Sequence, residues 1–184
     1  MKTLISKITD AGLSAVFNAS NDGLEAKISH IAFGDGDTGG GPAGYAPTGH
    51  ETALRHERVR VPIGGGKRLA PHEIEVQALL DTGPEHWITE VGFYLEDGTL
   101  FAVWSDPDVK LTFKADGAPF VVAFNLAMQG VPPDSVNVTI SGPSVNITML
   151  DNVVSTAANF MRTWRRMMAS EVRDLTPVIE RMWS

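Results

Sequence analysis

Trp87–Trp104, WITEVGFYLEDGTLFAVW, is the stretch on which the fold turns. Two apolar runs, Trp87–Leu95 and Thr99–Trp104, flank Glu96-Asp97-Gly98. Asp-Gly between β-rich runs predicts a hairpin, because glycine takes the positive-φ turn position without a Cβ clash. Counting alternate residues puts Trp87, Val91, Phe93 and Leu95 on one face, and Ile88 and Tyr94 on the other. Neither face is wholly polar, so the hairpin is expected to be central or covered on both sides. Its core is expected at Trp87, Val91, Phe93 and Trp104, with Gly98 in the turn. The aromatic content and the turn argue against a helix.

Upstream, residues 9–22 read as a short helix. Thr9 or Asp10 caps it, Leu13, Val16 and Phe17 share a face, and Gly23 ends it. A strand follows at Ile28–Phe33. The next sixteen residues, Gly34–Gly49, hold seven of the chain's 18 glycines and two prolines, which predicts a functional or mobile loop. From Glu57 the period becomes two. Val59, Val61 and Ile63 alternate with polar neighbours, as do Ile74, Val76, Ala78 and Leu80. Downstream, Val109, Leu111 and Phe113 alternate with Lys110, Thr112 and Lys114, and Val136, Val138 and Ile140 with Asn137, Thr139 and Ser141. Phe120–Met128 is more uniformly apolar. Clean alternation predicts antiparallel strands with one wet face. About nine strands between Gly/Pro/Asp turns, without βαβ spacing, predict a sandwich or barrel-like core.

The pattern changes at Leu150. Val154, Met161, Met168, Leu175 and Met182 recur every seven residues, and Leu150, Ala157, Trp164, Glu171 and Val178 form the second series. This a/d stripe is flawed at Glu171 and interrupted at Pro177. An amphipathic helix either packs on its own domain or meets other copies. Its length and terminal position favour self-association through Val154, Ala157, Met161, Trp164, Met168 and Leu175. The expected class is therefore α+β. A mainly antiparallel β sandwich or barrel-like domain at 1–149 carries a short N-terminal helix, and 150–184 forms a coiled-coil-like helical stalk.

Composition excludes several functions. A net charge of -7 disfavours a nucleic-acid surface, and the absence of cysteine removes disulfides and thiolate metal sites. No run approaches the ~20 apolar residues of a membrane span, and the N-terminus lacks a signal-peptide core. The sequons at Asn18, Asn137 and Asn146 carry little weight for a chain made in a cytoplasm. Asp35-Gly36-Asp37 does not continue as an EF-hand, since Ala46 stands where the glutamate belongs. Gly64-Gly65-Gly66-Lys67-Arg68 lacks the first glycine and the Ser/Thr of a phosphate loop, and reads as a turn. The five histidines show no ligand spacing, and Ser14 and Ser141 lack a nucleophile elbow. No cofactor, metal or catalytic group is expected.

EVGFYLEDGTLFAVWSDP at Glu90–Pro107, HIAFGDG at His30–Gly36 and YAPTGHETALRHERVRVPI at Tyr45–Ile63 together resemble the phage tail-collar fibre family. The resemblance implies a structural virion protein of the tail, synthesised in the host cytoplasm. It would be a homotrimer attached to a baseplate wedge or fibre-attachment protein. The chain would be part of a longer fibre, or a short adaptor for a distal receptor-binding chain that carries host adhesion. Asp35, Asp37 and Tyr45 in the glycine loop are the candidate baseplate contacts. The rival reading is a carbohydrate- or receptor-binding module, with the Gly34–Gly49 loop and exposed aromatics as its site. Trp87, Trp104 and Tyr94 offer a stacking platform, although inside a two-faced apolar hairpin they read more simply as core.

Overall fold

The computed structural model describes residues 5–36, 43–128 and 130–144. The chain divides into two units, Met1–Val145 and Asn146–Ser184, and every described residue belongs to the first. The heptad series and its six interface residues lie outside the described residues, as does Asp37.

One helix and eleven strands make up the described unit. They are β1 (Lys7–Ile8), α1 (Asp10–Asn21), β2 (Ala26–Gly34), β3 (Glu57–Pro62), β4 (Gly65–Ala70) and β5 (Glu73–Leu80). After them come β6 (His86–Ile88), β7 (Glu90–Leu95), β8 (Leu100–Ser105), β9 (Thr112–Lys114), β10 (Phe120–Ala127) and β11 (Val136–Val138). The large sheet runs β1-β8-β7-β2-β11, with β3 also on β2. The small sheet runs β10-β5-β4, and β6 with β9 forms a separate ribbon. The strands pair antiparallel except β11, which lies parallel to β2 from Val136 opposite Ala26. That parallel pair departs from the alternation-based expectation. It follows from a long return path, since β11 and β2 are joined through the rest of the domain.

The two sheets close on one core. Phe124 of the small sheet meets Phe93 edge-on at 5.7 Å and Phe33 at 6.3 Å between ring centres, both from the large sheet. Two bulges set which residues reach that core. β2 slips against β7 between Ile28 and His30, so Ile28 and Ile31 both point inward despite their odd separation. β8 carries an extra residue opposite Phe93/Tyr94, so the adjacent Phe101 and Ala102 both join the core. Ala32 of β2 and Tyr94, Leu100 and Val103 of the hairpin face the other way and meet Tyr45 and Leu54. This second layer makes β7 and β8 buried at every position.

Val91, Phe93 and Trp104 are buried, and Gly98 turns the hairpin at φ 86. Its N–H donates to Leu95 O at 3.0 Å. Trp87 departs from the expected core: it is 41% exposed, on the ribbon rather than the hairpin. Thr89, between β6 and β7, hydrogen-bonds to Gly34 O, and the chain changes sheet there, so the alternation counted through it does not carry over. The Val109–Lys114 expectation also inverts. Only Thr112–Lys114 form a strand, Phe113 is 44% exposed, and Lys114 is buried with its Nζ donating to Gly83 O and Ala115 O, each at 3.2 Å. Gly65 and Gly66 lie in β4 rather than in a turn.

Helix α1 is tied at both ends. Gly12 N–H donates to the Thr9 hydroxyl at 2.9 Å, and that hydroxyl donates to Leu100 O. At the other end Leu24 N–H reaches Ala19 O and Gly23 N–H reaches Ser20 O, a Schellman cap. Val16 fills the core while Phe17, expected beside it, is exposed, because the helix presents a narrow face next to Phe101. That approach is close enough that a Cβ on Gly12 would meet Phe101 O at 2.5 Å. Helix propensity favours Gly12→Ala by about 1 kcal/mol. Overpacking against backbone costs about 1–3 kcal/mol and should prevail. The variant is therefore expected to unfold at lower urea than the parent. A higher midpoint would mean that the helix stands off the hairpin.

Candidate functional site

The one glutamate inside the apolar hairpin organises the polar centre. Glu90 begins β7 and is fully buried. A carboxylate buried there needs hydrogen bonds to its oxygens. Its Oε1 accepts from Gly36 N–H at 3.2 Å and His56 N–H at 2.8 Å. Its Oε2 accepts from Arg55 N–H and Tyr45 O–H, both at 3.0 Å. Four donors from three separate stretches thus converge on one side chain.

A second buried carboxylate, Asp35, stands beside it. Its Oδ1 meets His56 Nδ1 at 2.6 Å, and its Oδ2 meets Arg58 Nε and Nη2, both at 2.7 Å. Glu57 accepts from Arg60 through two bonds, at 2.9 and 2.7 Å, and from Tyr94 O–H at 3.3 Å. Tyr94 in turn accepts from Leu54 N–H. The guanidinium carbons of Arg55 and Arg60 lie 3.7 and 3.6 Å from the ring centres of Tyr45 and Tyr94. Tyr45 N–H donates to Ser105 Oγ at 2.9 Å, and Ser105 Oγ–H donates to Thr89 O at 2.8 Å. Every residue of Leu54–Arg58, LRHER, therefore holds a strand or a ring.

This geometry corrects the contact-loop expectation. Asp35 and Tyr45 are buried and hydrogen-bonded, and a Cβ on Gly44 would fall 1.8 Å from Asp106 O. The described part of the loop is packed onto the hairpin, and its glycines serve close approach. The expectation of a solvated or capping role fails for His86, while the His56 side chain is 40% exposed and pairs with Asp35. His86 is buried, with Nδ1 2.8 Å from Pro84 O and no hydrogen-bond partner for Nε2 among the described residues. Of the three proposed stacking aromatics, Trp104 and Tyr94 are buried. Trp87 is exposed and meets Phe113 edge-on at 5.2 Å. The described residues contain no cluster of three or more acidic or histidine side chains placed to hold a metal.

The motif's role could have been suspected from Glu90 alone, since a lone carboxylate in an apolar run needs partners. Which partners it takes was not readable, because Gly36, Tyr45 and His56 reach it across more than thirty residues of chain. Chemically the arrangement is a clamp: its central acid accepts from Gly36, Tyr45, Arg55 and His56, all outside the strands, and so ties these segments to the sheet, and its phenols stay protonated. Burial raises the pKa of both tyrosines above the ordinary 10.0, with the Glu90 charge adding to it at Tyr45 and the Glu57 charge at Tyr94.

Glu90→Gln keeps the shape but turns an amide N–H₂ toward donors. One or two unmet buried donors at about 1–3 kcal/mol each predict a loss of roughly 2–4 kcal/mol. Hydrogen exchange should rise across residues 43–56 and stay low in β5; uniform change would mean that Glu90 does not specifically hold the loop. The chain has only two tyrosines, Tyr45 and Tyr94. Their raised folded pKa values give stability that is complete below about pH 10 and declines as pH rises beyond it. Phenolate absorbance should therefore stay absent at about pH 10 and appear together with unfolding. A normal titration of the folded chain would contradict the clamp.

Comparison with curated proteins and with solved structures finds no significant match for this chain. Residues 1–148 match the family described as phage tail-collar fibre protein, N-terminal, a stretch that takes in the clamp, both sheets and the ribbon. The chain belongs to the phage tail-collar fibre protein family, and is a structural protein of the phage tail.

Proposed function

We propose that the β domain attaches a fibre to the tail baseplate, through a wedge or fibre-attachment protein, and that residues 150–184 join three copies. The carrying observation is the family match over residues 1–148, which coincides with the unit Met1–Val145. The clamp supports a structural role, since Asp35, His56, Glu57 and Glu90 are engaged in holding strands and rings. The heptad series supplies the oligomerising half. Its methionine-rich a positions discriminate poorly between two and three strands, so the number three rests on the family. Light scattering should give three chains for residues 1–184 and one for residues 1–149. A truncated chain that remains trimeric would move the assembly surface into the β domain.

The exposed Trp87–Phe113 pair favours a second reading, in which this surface stacks on a sugar. Lys110 Nζ stands 5.1 Å from the Trp87 ring centre, so one face of the platform is already occupied by a cation. A glycan array on parent and Trp87→Ala chains separates the readings, because attachment requires no glycan signal.

A further inference from the structure

Sheet edges expose unpaired N–H and C=O groups, and proteins protect them by shortness, charge, proline or bulges. Four of the edge strands here are protected in that way. β1 and β11 have two and three residues. β3 carries Glu57, Arg58 and Arg60 and ends in Pro62, and β4 carries Lys67 and Arg68 and slips between Arg68 and Ala70. β10 differs on every count. Its eight residues, FVVAFNLA, have no charge and no proline, and run in unbroken register with β5. Among the described residues β5 is its only pairing neighbour.

An open groove of about 250 Å³ runs along this edge, lined by Phe120–Phe124 and by Leu111 and Thr112. Thr112 belongs to β9, which among the described residues pairs only with β6. The groove is thus bordered by two strands with unpaired edges. On the outer face of β10, Ala123, Asn125 and Ala127 are small and exposed. They lie opposite Gln77, Glu75 and Glu73 of β5. Glu75 is 3.7 Å from Lys67, while Glu73 has no ion-pair partner among the described residues. A strand added to β10 would lie roughly 10 Å from β5, close enough for a long cationic side chain to cross the small residues toward Glu73.

We propose that β10 receives an extended strand from the tail-side partner, with apolar side chains facing the groove and lysine or arginine on the outer face. The inference rests on the attachment reading and specifies its chemistry as strand addition. The acidic residues on β5 and the chain's net charge of -7 select a basic strand over an acidic one.

The test uses the full chain and a blocked hexapeptide alternating lysine and valine. In the free chain the β10 amides that point away from β5 should exchange fast, and the peptide should slow them by roughly tenfold or more. Ala123→Lys with Asn125→Lys changes only exposed positions and should fold normally yet lose that protection. Several results would overturn the proposal. Slow exchange in the free chain means that its own residues cover the edge, and slowing that depends on protein concentration means a second copy does. Equal protection by a glutamate–valine peptide removes the charge selection. The attachment reading is tested separately on fibreless tail particles. If the double variant attaches as the parent does, strand addition is wrong and attachment stands. If the parent itself fails to attach, the attachment reading falls.

Discussion

The buried carboxylate of Glu90 is the constraint on which the outer half of this domain depends. It sits at zero exposure in the strand that pairs with both β2 and β8, where water cannot solvate it. Such a group is tolerable only with its lone pairs occupied, and a charged acceptor forms stronger hydrogen bonds than a neutral one. Gly36, Arg55 and His56 satisfy it through the backbone, so the carboxylate sets the path of the chain and not merely the position of side chains. Asp35 repeats the device one step outward with His56 and Arg58.

Because that path is set, the loop becomes a layer. Tyr45 and Leu54 cover Ala32, Tyr94, Leu100 and Val103, and the large sheet acquires apolar cover on its second face. Without it those residues would be wet and the hairpin would show the usual alternation of a half-buried sheet. The bulges at Ile28–His30 and Phe93–Tyr94 complete the arrangement by switching which residues face the inner core. Helix α1 uses the second bulge directly, since its cap and Gly12 contact Leu100 and Phe101.

Much of this was legible in the chain. Uniformly apolar runs around Glu96-Asp97-Gly98 implied a hairpin covered on both faces, and Thr9 and Gly23 marked the helix ends. Period two located β3, β5 and β11, and three separated motifs pointed to the family. What covered the hairpin was not legible. Glycine and proline in Gly34–Gly49 resemble the composition of a mobile loop, whereas Gly44 is required by the closeness of Asp106. Sequence spacing carries no record of a contact between Glu90 and Tyr45, or of a strand parallel to one more than a hundred residues earlier. For the candidate site, the residue types were visible and their convergence was not.

The ribbon shows the same rule overriding hydrophobicity. Pairing places His86 opposite Lys114 and Trp87 opposite Phe113, with the polar pair inside and the aromatic pair outside. A slip of one residue would exchange the faces and bury aromatic side chains worth about 1.5–3 kcal/mol each on area alone. The observed register must therefore be held by something stronger than apolar burial. Lys114 supplies it: its ammonium reaches the carbonyls of Gly83, just before β6, and Ala115, just after β9, while its stem fills apolar space. His86 Nδ1 is likewise directed at the carbonyl of Pro84. Trp87 and Phe113 recover part of the loss by packing on each other at 5.2 Å. In the ribbon, as at Glu90, the side of the sheet a residue occupies is decided by where a buried charge finds its hydrogen bonds.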